Sequence, residues 1–237
     1  MPIDWIKPGA GGIEVADGLA FVDPSLPKPL AIVTHGHADH ARAGHGRVIA
    51  TPETLAIMEA RYGPTPGWAV AYGETVEIGD VRVTLYPAGH VLGSAQVLLE
   101  RGGERVIVTG DFKRAPDPTC PPFVPVACDV LITEATFGLP VFRHPPAAGE
   151  VGKVMQRLAE APERSVLIGA YALGKAQRVI CHLREAGYDR PVYLHGAMEK
   201  LCALYQTHGV ELGELRSATG TAAEEMVGHV VVAPPSA

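Results

Sequence analysis

Short apolar stretches separated by turn residues dominate the first half of the chain. IEVAD, LAFVD, LAIVTH, RVIAT, WAVAYG, VRVTLYP, SAQVLLE, RVIVTGD and DVLITEA each read as a β-strand. Helical periodicity is sparser: one helix is expected after His40, one over Pro52 to Arg61 with the proline in the first turn, and one near Glu150 to Ala159. Mostly antiparallel strands with a few helices predict a layered α/β or α+β sandwich.

After the proline-rich stretch Arg143 to Pro146 the rhythm changes. SVLIGAYA leads into LGKAQRVICHLREAG, then PVYLH into MEKLCALYQTHG, alternating strand and helix as parallel-sheet units do. The expected boundary lies near residues 150–165, giving domains 1–160 and 161–237. The last strand pattern, HVVVAPPSA, stops as soon as it is complete, and about two β/α pairs is close to the minimum for a core. A truncated chain is the expectation.

Composition narrows the class. Of 237 residues, 47% are hydrophobic and 19% charged, which fits a globular protein rather than a disordered one. The apolar runs are too short to span a bilayer, and no basic, then apolar, leader opens the chain. The protein therefore reads as cytoplasmic, with no membrane partner. A net charge of −6 excludes a basic DNA-wrapping protein, but not a nucleic-acid enzyme with local positive charge. Cys120, Cys128, Cys181 and Cys202 form no CxxC pair and read as reduced thiols.

The histidines carry the chemistry. THGHADH places His35, His37, Asp39 and His40 at the end of the LAIVT strand. Imidazoles beside a carboxylate suit zinc or manganese, and two adjacent nitrogen/oxygen sets suggest two metals. His90, in LYPAGHVLGSAQ, and Asp111, in RVIVTGDFK, also follow strands. The two oxygens of an aspartate can bridge two cations, which suits Asp111 to a two-metal site. His45, His144, His182, His195, His208 and His229 have no ligand-spaced partner, and of these His195, after the PVYLH strand, is the candidate for a substrate contact.

HxHxDH, a lone histidine and a GD after a strand together resemble the metallo-β-lactamase fold. GDFKRAPDPTC, TEATFGLP and AYALGKAQ resemble its nuclease branch with an inserted β-CASP domain, most closely the bacterial ligase-associated DNA exonucleases related to Artemis-type repair nucleases. The resemblance implies an incomplete αββα sandwich with a partial β-CASP-like α/β domain. It implies two divalent metal ions, zinc or manganese: His35, His37 and His90 on the first, Asp39 and His40 on the second, Asp111 bridging. Asp23, in LAFVDPS, corresponds to an aspartate that orients the histidine loop. Glu134, in TEATFG, corresponds to the acidic residue that pairs with a proton-donating histidine, so Asp39, Asp111 and Glu134 are the expected catalytic residues. Lys113, Arg114 and Lys175 are candidate phosphate contacts, with Gln177 beside Lys175 at a helix start.

The activity so implied is hydrolysis of phosphodiester bonds at DNA ends, in repair linked to a DNA ligase. An RNA-processing nuclease of the same fold and an inactive metal-binding fragment are the alternatives. A small-molecule hydrolase is disfavoured because such relatives lack the β-CASP-like unit. The family's later loop with a further DH pair and its last strand-end histidine have no counterpart in these 237 residues.

Overall fold

The computed structural model describes residues 3–9 and 11–236. The chain divides into two compact units, Met1–Thr136 and Phe137–Ala237.

The first unit holds two sheets. The first sheet runs β1 (Ile6–Gly9), β2 (Gly12–Val15), β3 (Ala20–Val22), β4 (Leu30–Ile32), β5 (Arg47–Ala50) and β6 (Gly67–Ala69), in chain order. Strands β1 to β3 are antiparallel, while β3 to β6 pair in parallel. The second sheet is built from β7 (Thr75–Ile78), β8 (Val81–Pro87), β9 (Ala95–Arg101), β10 (Glu104–Val108) and β11 (Val130–Ile132). It is an antiparallel meander whose last strand, β11, adds parallel to β10. Parallel pairing is more frequent than the mostly antiparallel reading expected. The reason is burial: β4 and β5 are apolar on both faces, the signature of covered parallel strands.

Val15, Val22, Ile32 and Ile49 of the first sheet share one core with Val83, Leu85, Val97, Leu99, Val106 and Val108 of the second. The opposite face of the first sheet, with Ala31, Val48 and Ala50, packs on Leu55 and Met58 of helix α1 (Pro52–Tyr62). The helix begins where its sequence says it should. Thr51 caps it by accepting a hydrogen bond from Thr54 N–H at 3.2 Å, and Pro52 occupies the first turn, where its missing donor costs nothing. The helix expected after His40 does not form. Residues 41–46 are irregular with two bends, because the segment bears two glycines and only Ala41 and His45 turn inward.

The second unit contains α2 (Ala147–Glu160), β12 (Val166–Gly169), α3 (Lys175–Glu185), β13 (Val192–Leu194), α4 (Gly196–Thr207), β14 (Leu215–Ser217) and β15 (Val230–Ala233). All its strand pairs are parallel, in the order β12-β15-β13-β14. The HVVVA segment, which ended the sequence pattern so abruptly, is thus the interior strand β15, with Val230 and Val232 fully buried. The boundary expected after residue 160 falls instead after Thr136, because α2 packs against α3 and β12. The sequence cue came from the prolines, whereas the division follows the faces that α2 and its neighbours bury. Among the described residues, no helix is long and apolar enough to cross a membrane.

Candidate metal centre

Every residue of the candidate centre lies in the first unit, just past a strand. Asp23 follows β3, the His35–His40 loop follows β4, His90 follows β8, Asp111 follows β10 and Glu134 follows β11. In each sheet these strands run parallel to one another, so their carboxyl ends share an edge. Ala95 N–H donates to Thr34 C=O at 2.8 Å, which ties the two edges together, and within the second sheet Lys113 N–H donates to Ala88 C=O at 2.9 Å.

Four donor groups, from His35, His37, His90 and Asp111, converge within 4.8 Å of one another. His37 Nδ1 lies 2.9 Å from His35 Nε2 and 3.2 Å from His90 Nε2. Asp111 Oδ2 lies 3.8 Å from His35 Nε2 and 3.7 Å from His90 Nε2. A tetrahedral zinc ion with nitrogen and oxygen ligands at about 2.0–2.1 Å sets its donors about 3.3 Å apart. The measured separations bracket that spacing, so the donor set fits a borderline divalent cation. Burial, together with neighbouring His40, His37 and His90, holds His35 well below the usual imidazole range, so it is a neutral electron-pair donor.

Asp111 faces two ways. Its other oxygen, Oδ1, lies 3.3 Å from His40 Nε2, and that same nitrogen lies 3.6 Å from Asp39 Oδ2. Asp39, His40 and Asp111 thus form a second, more open donor set, with the Asp39 side chain 76% exposed. His40 Nδ1 lies 2.7 Å from Asp23 Oδ2. Burial alone would lower the His40 pKa, but hydrogen bonds to Asp111 and Asp23, with their charges, raise it to about 10. In return, the His40 hydrogen bond holds the Asp111 carboxyl below the ordinary carboxylate range against the opposing effect of burial. Asp23 itself adopts φ +46°, an uncommon left-handed turn before Pro24 that aims its carboxylate into the His loop.

Supporting contacts fix the loops. Ser94 Oγ accepts from His90 N–H at 3.0 Å and from Val91 N–H at 3.1 Å. Arg61 of α1 donates to Gly36 C=O at 2.6 Å. Sequence reasoning missed both, and the GHVLGS spacing was the only signal that could have marked Ser94. Gly110 precedes the bridging aspartate with φ +54°, and a Cβ there would lie 2.6 Å from Thr34 Oγ1 and 2.7 Å from Thr34 Cβ. Gly110→Ala is expected to destabilise the first unit by about 2 kcal/mol or more, since it adds both overpacking and left-handed strain. Chemical denaturation measures this, and an unchanged midpoint would contradict the close approach.

The remaining sequence candidates are placed differently. Glu134 accepts from Phe112 N–H at 3.4 Å and Thr136 N–H at 2.9 Å, clamping the residue next to Asp111. Lys113 is engaged within its own loop. Its ammonium donates to Pro116 C=O at 2.9 Å and to the buried Asp117 carboxylate at 3.2 Å, an internal tie that the adjacent basic pair in the sequence did not disclose. Arg114 is exposed. In the second unit Lys175 is the exposed first residue of α3, its ammonium 5.1 Å from the centre of the Tyr171 ring. Gln177, fully buried, caps that helix by accepting from Gly174 N–H at 2.7 Å and donates to Ala172 C=O at 2.9 Å. His195 caps α4, accepting from Ala197 N–H at 3.2 Å. Cys120 and Cys128 are half-buried and Cys181 and Cys202 buried, with no disulfide among them.

No family model matches the chain. It is 33% identical over 220 residues, 91% of its length, to a probable DNA ligase of Opitutus terrae. It is 34% identical over 248 residues to the cleavage and polyadenylation specificity factor subunit 3 of Dictyostelium discoideum, and 32% identical over 251 residues to endoribonuclease ysh-1 of Neurospora crassa, covering 86% and 84% of this chain. The chain spans only 21–32% of the length of these relatives. Among solved structures it resembles a protein of unknown function from Enterococcus faecalis, with a TM-score of 0.54 at 14% identity, covering 86% of this chain and 58% of that one.

The fold class is α/β of the metallo-β-lactamase type. The relatives support the metallo-β-lactamase/β-CASP family at the level of family and not of branch.

Proposed function

We propose that the chain carries the metal-dependent phosphodiesterase centre of a DNA exonuclease, acting at DNA ends in repair linked to ligation. The observation that carries this reading is the two-faced Asp111, with one oxygen toward the three-imidazole cluster and the other toward His40. In this reading the first unit is the metallo-β-lactamase part and the second a partial β-CASP part. The similarity to a probable DNA ligase over 91% of the chain supports the link to DNA ends.

His35, His37 and His90 would hold the first cation, Asp39 and His40 the second, and Asp111 both. Bound divalent cations supply Lewis acidity, which ionises water near neutral pH and offsets charge on a phosphate. Around them, Asp23 fixes the ring of His40, Ser94 fixes the backbone at His90, and Glu134 fixes the backbone after Asp111. Asp39, the most exposed carboxylate of the set, is the group best placed to meet a substrate. With its carboxylate held by two backbone N–H groups, Glu134 acts by placing the Asp111 loop. Arg114 and Lys175 are the exposed cations for the nucleic-acid backbone.

The endoribonuclease relatives favour a second reading, an RNA-processing nuclease with the same centre. End-labelled DNA and RNA of one sequence, incubated with zinc or manganese, separate the two. Stepwise shortening of DNA from an end is the expected result. Cleavage of RNA alone would support the second reading, and no cleavage of either by metal-loaded protein would leave a metal-binding fragment.

A further inference from the structure

One buried hydroxyl touches the candidate centre without being a ligand in it. Thr34 is 1% exposed and stands immediately before His35. Its backbone N–H donates to Asp23 Oδ1 at 2.8 Å, and its Oγ1 lies 2.6 Å from Asp23 Oδ2. The same Oγ1 lies 3.1 Å from His35 Nδ1. Asp23 Oδ2 in turn meets His40 Nδ1 at 2.7 Å.

A hydroxyl has one proton and two acceptor lone pairs, whereas an ionised carboxylate only accepts. Thr34 therefore gives its proton to Asp23 and turns a lone pair to His35, whose Nδ1 must carry the proton between them. Asp23 likewise takes a proton from His40 Nδ1. A single chain of hydrogen bonds then runs from His35 through Thr34 and Asp23 to His40. In both rings it leaves Nε2 as the donor atom, in one case facing His37 and in the other facing Asp111.

We infer that Thr34 is a positioning residue that couples the two metal half-sites, fixing the ring and tautomer of His35 directly and those of His40 through Asp23. The inference rests on the proposed metal centre. Packing alone does not call for the hydroxyl: Thr34 turns both its hydroxyl and its methyl toward Gly110, which carries no Cβ, so the valine side chain of matched shape meets no side chain there. Loss of such an outer hydrogen bond typically weakens metal binding about 10- to 100-fold.

The test is competition for zinc between the full chain and a chromophoric chelator, which yields successive dissociation constants. Thr34→Val, matched in shape, is expected to weaken both sites about 10- to 100-fold, whereas Thr34→Ser, which keeps the hydroxyl, stays close to the unsubstituted protein. The decisive reading concerns the site that Thr34 does not touch. In a His90→Ala background, where the first site is crippled, adding Thr34→Val must still weaken the zinc that is retained. Weakening confined to the first site, unchanged affinity in Thr34→Val, or a serine variant as weak as the valine variant would each overturn the coupling. Should the valine variant melt far below the others without metal, Thr34→Ala takes its place under the same criteria. An unsubstituted protein that binds no metal overturns the proposed function itself, and the coupling with it.

Discussion

Asp111→Ala is expected to abolish nucleic-acid cleavage, by on the order of 10³-fold or more, while the first unit stays folded. The size of the effect follows from the geometry. Asp111 reaches both donor sets, with Oδ2 3.7–3.8 Å from two imidazoles of the first and Oδ1 3.3 Å from His40 of the second. Removing it takes a carboxylate from each set at once and leaves His40 without one of its three acid partners, Asp23, Asp39 and Asp111. Asp111→Asn separates charge from shape, because the amide keeps one oxygen but cannot bridge two cations as a carboxylate does. Initial rates on end-labelled DNA, with circular dichroism as the control for folding, measure the loss. Cleavage within tenfold of the unsubstituted protein would remove Asp111 from the centre.

The second large effect is on pH dependence without metal. In the chelator-stripped protein His40 titrates at about 10, against 6.5 for an ordinary imidazole, so the folded state binds a proton that the unfolded state gives up first. The pair's stabilisation is therefore complete below pH about 6.5 and is lost as pH rises toward about 10. His35 acts in the opposite sense: burial holds its pKa down, so its contribution is lost as pH falls below 6.5. The lowered Asp111 carboxyl acts only in acid, outside the alkaline window. Thermal midpoints of the stripped protein should fall from pH 6.5 to 9.5, and His40→Ala should flatten that slope. A cation on Nε2 must displace the His40 proton, so zinc binding at neutral pH should release a proton and tighten as pH rises. Equal slopes in both proteins would contradict the His40–Asp111–Asp23 arrangement.

Much of the centre was legible in the sequence because each ligand set stands where an apolar run stops. LAIVT ends before His35, LYPAG before His90 and RVIVTG before Asp111, and a strand that ends abruptly delivers its next polar residue to the sheet edge. Asp23 was legible only through resemblance, since an aspartate before proline is also an ordinary turn residue. Its hydrogen bonds to Thr34 and His40 depend on β3 and β4 pairing in parallel, a long-range fact with no local signature. The same limit explains Lys113, which looked like a surface cation but is held by an aspartate four residues on in a folded-back loop. Strands β1, β7 and β14 were missed: β1 carries a proline and a glycine, and the others have only four and three residues. The helix wrongly expected after His40 marks the converse error, since two glycines and only two inward residues, Ala41 and His45, give the segment no helical face to bury.

The most direct measurement is the metal content of the protein, purified without chelator and analysed by elemental analysis beside His90→Ala. Close to two divalent ions per chain are expected, falling in the variant. One ion or none in the unsubstituted chain would contradict a dinuclear centre built from His35, His37, Asp39, His40, His90 and Asp111.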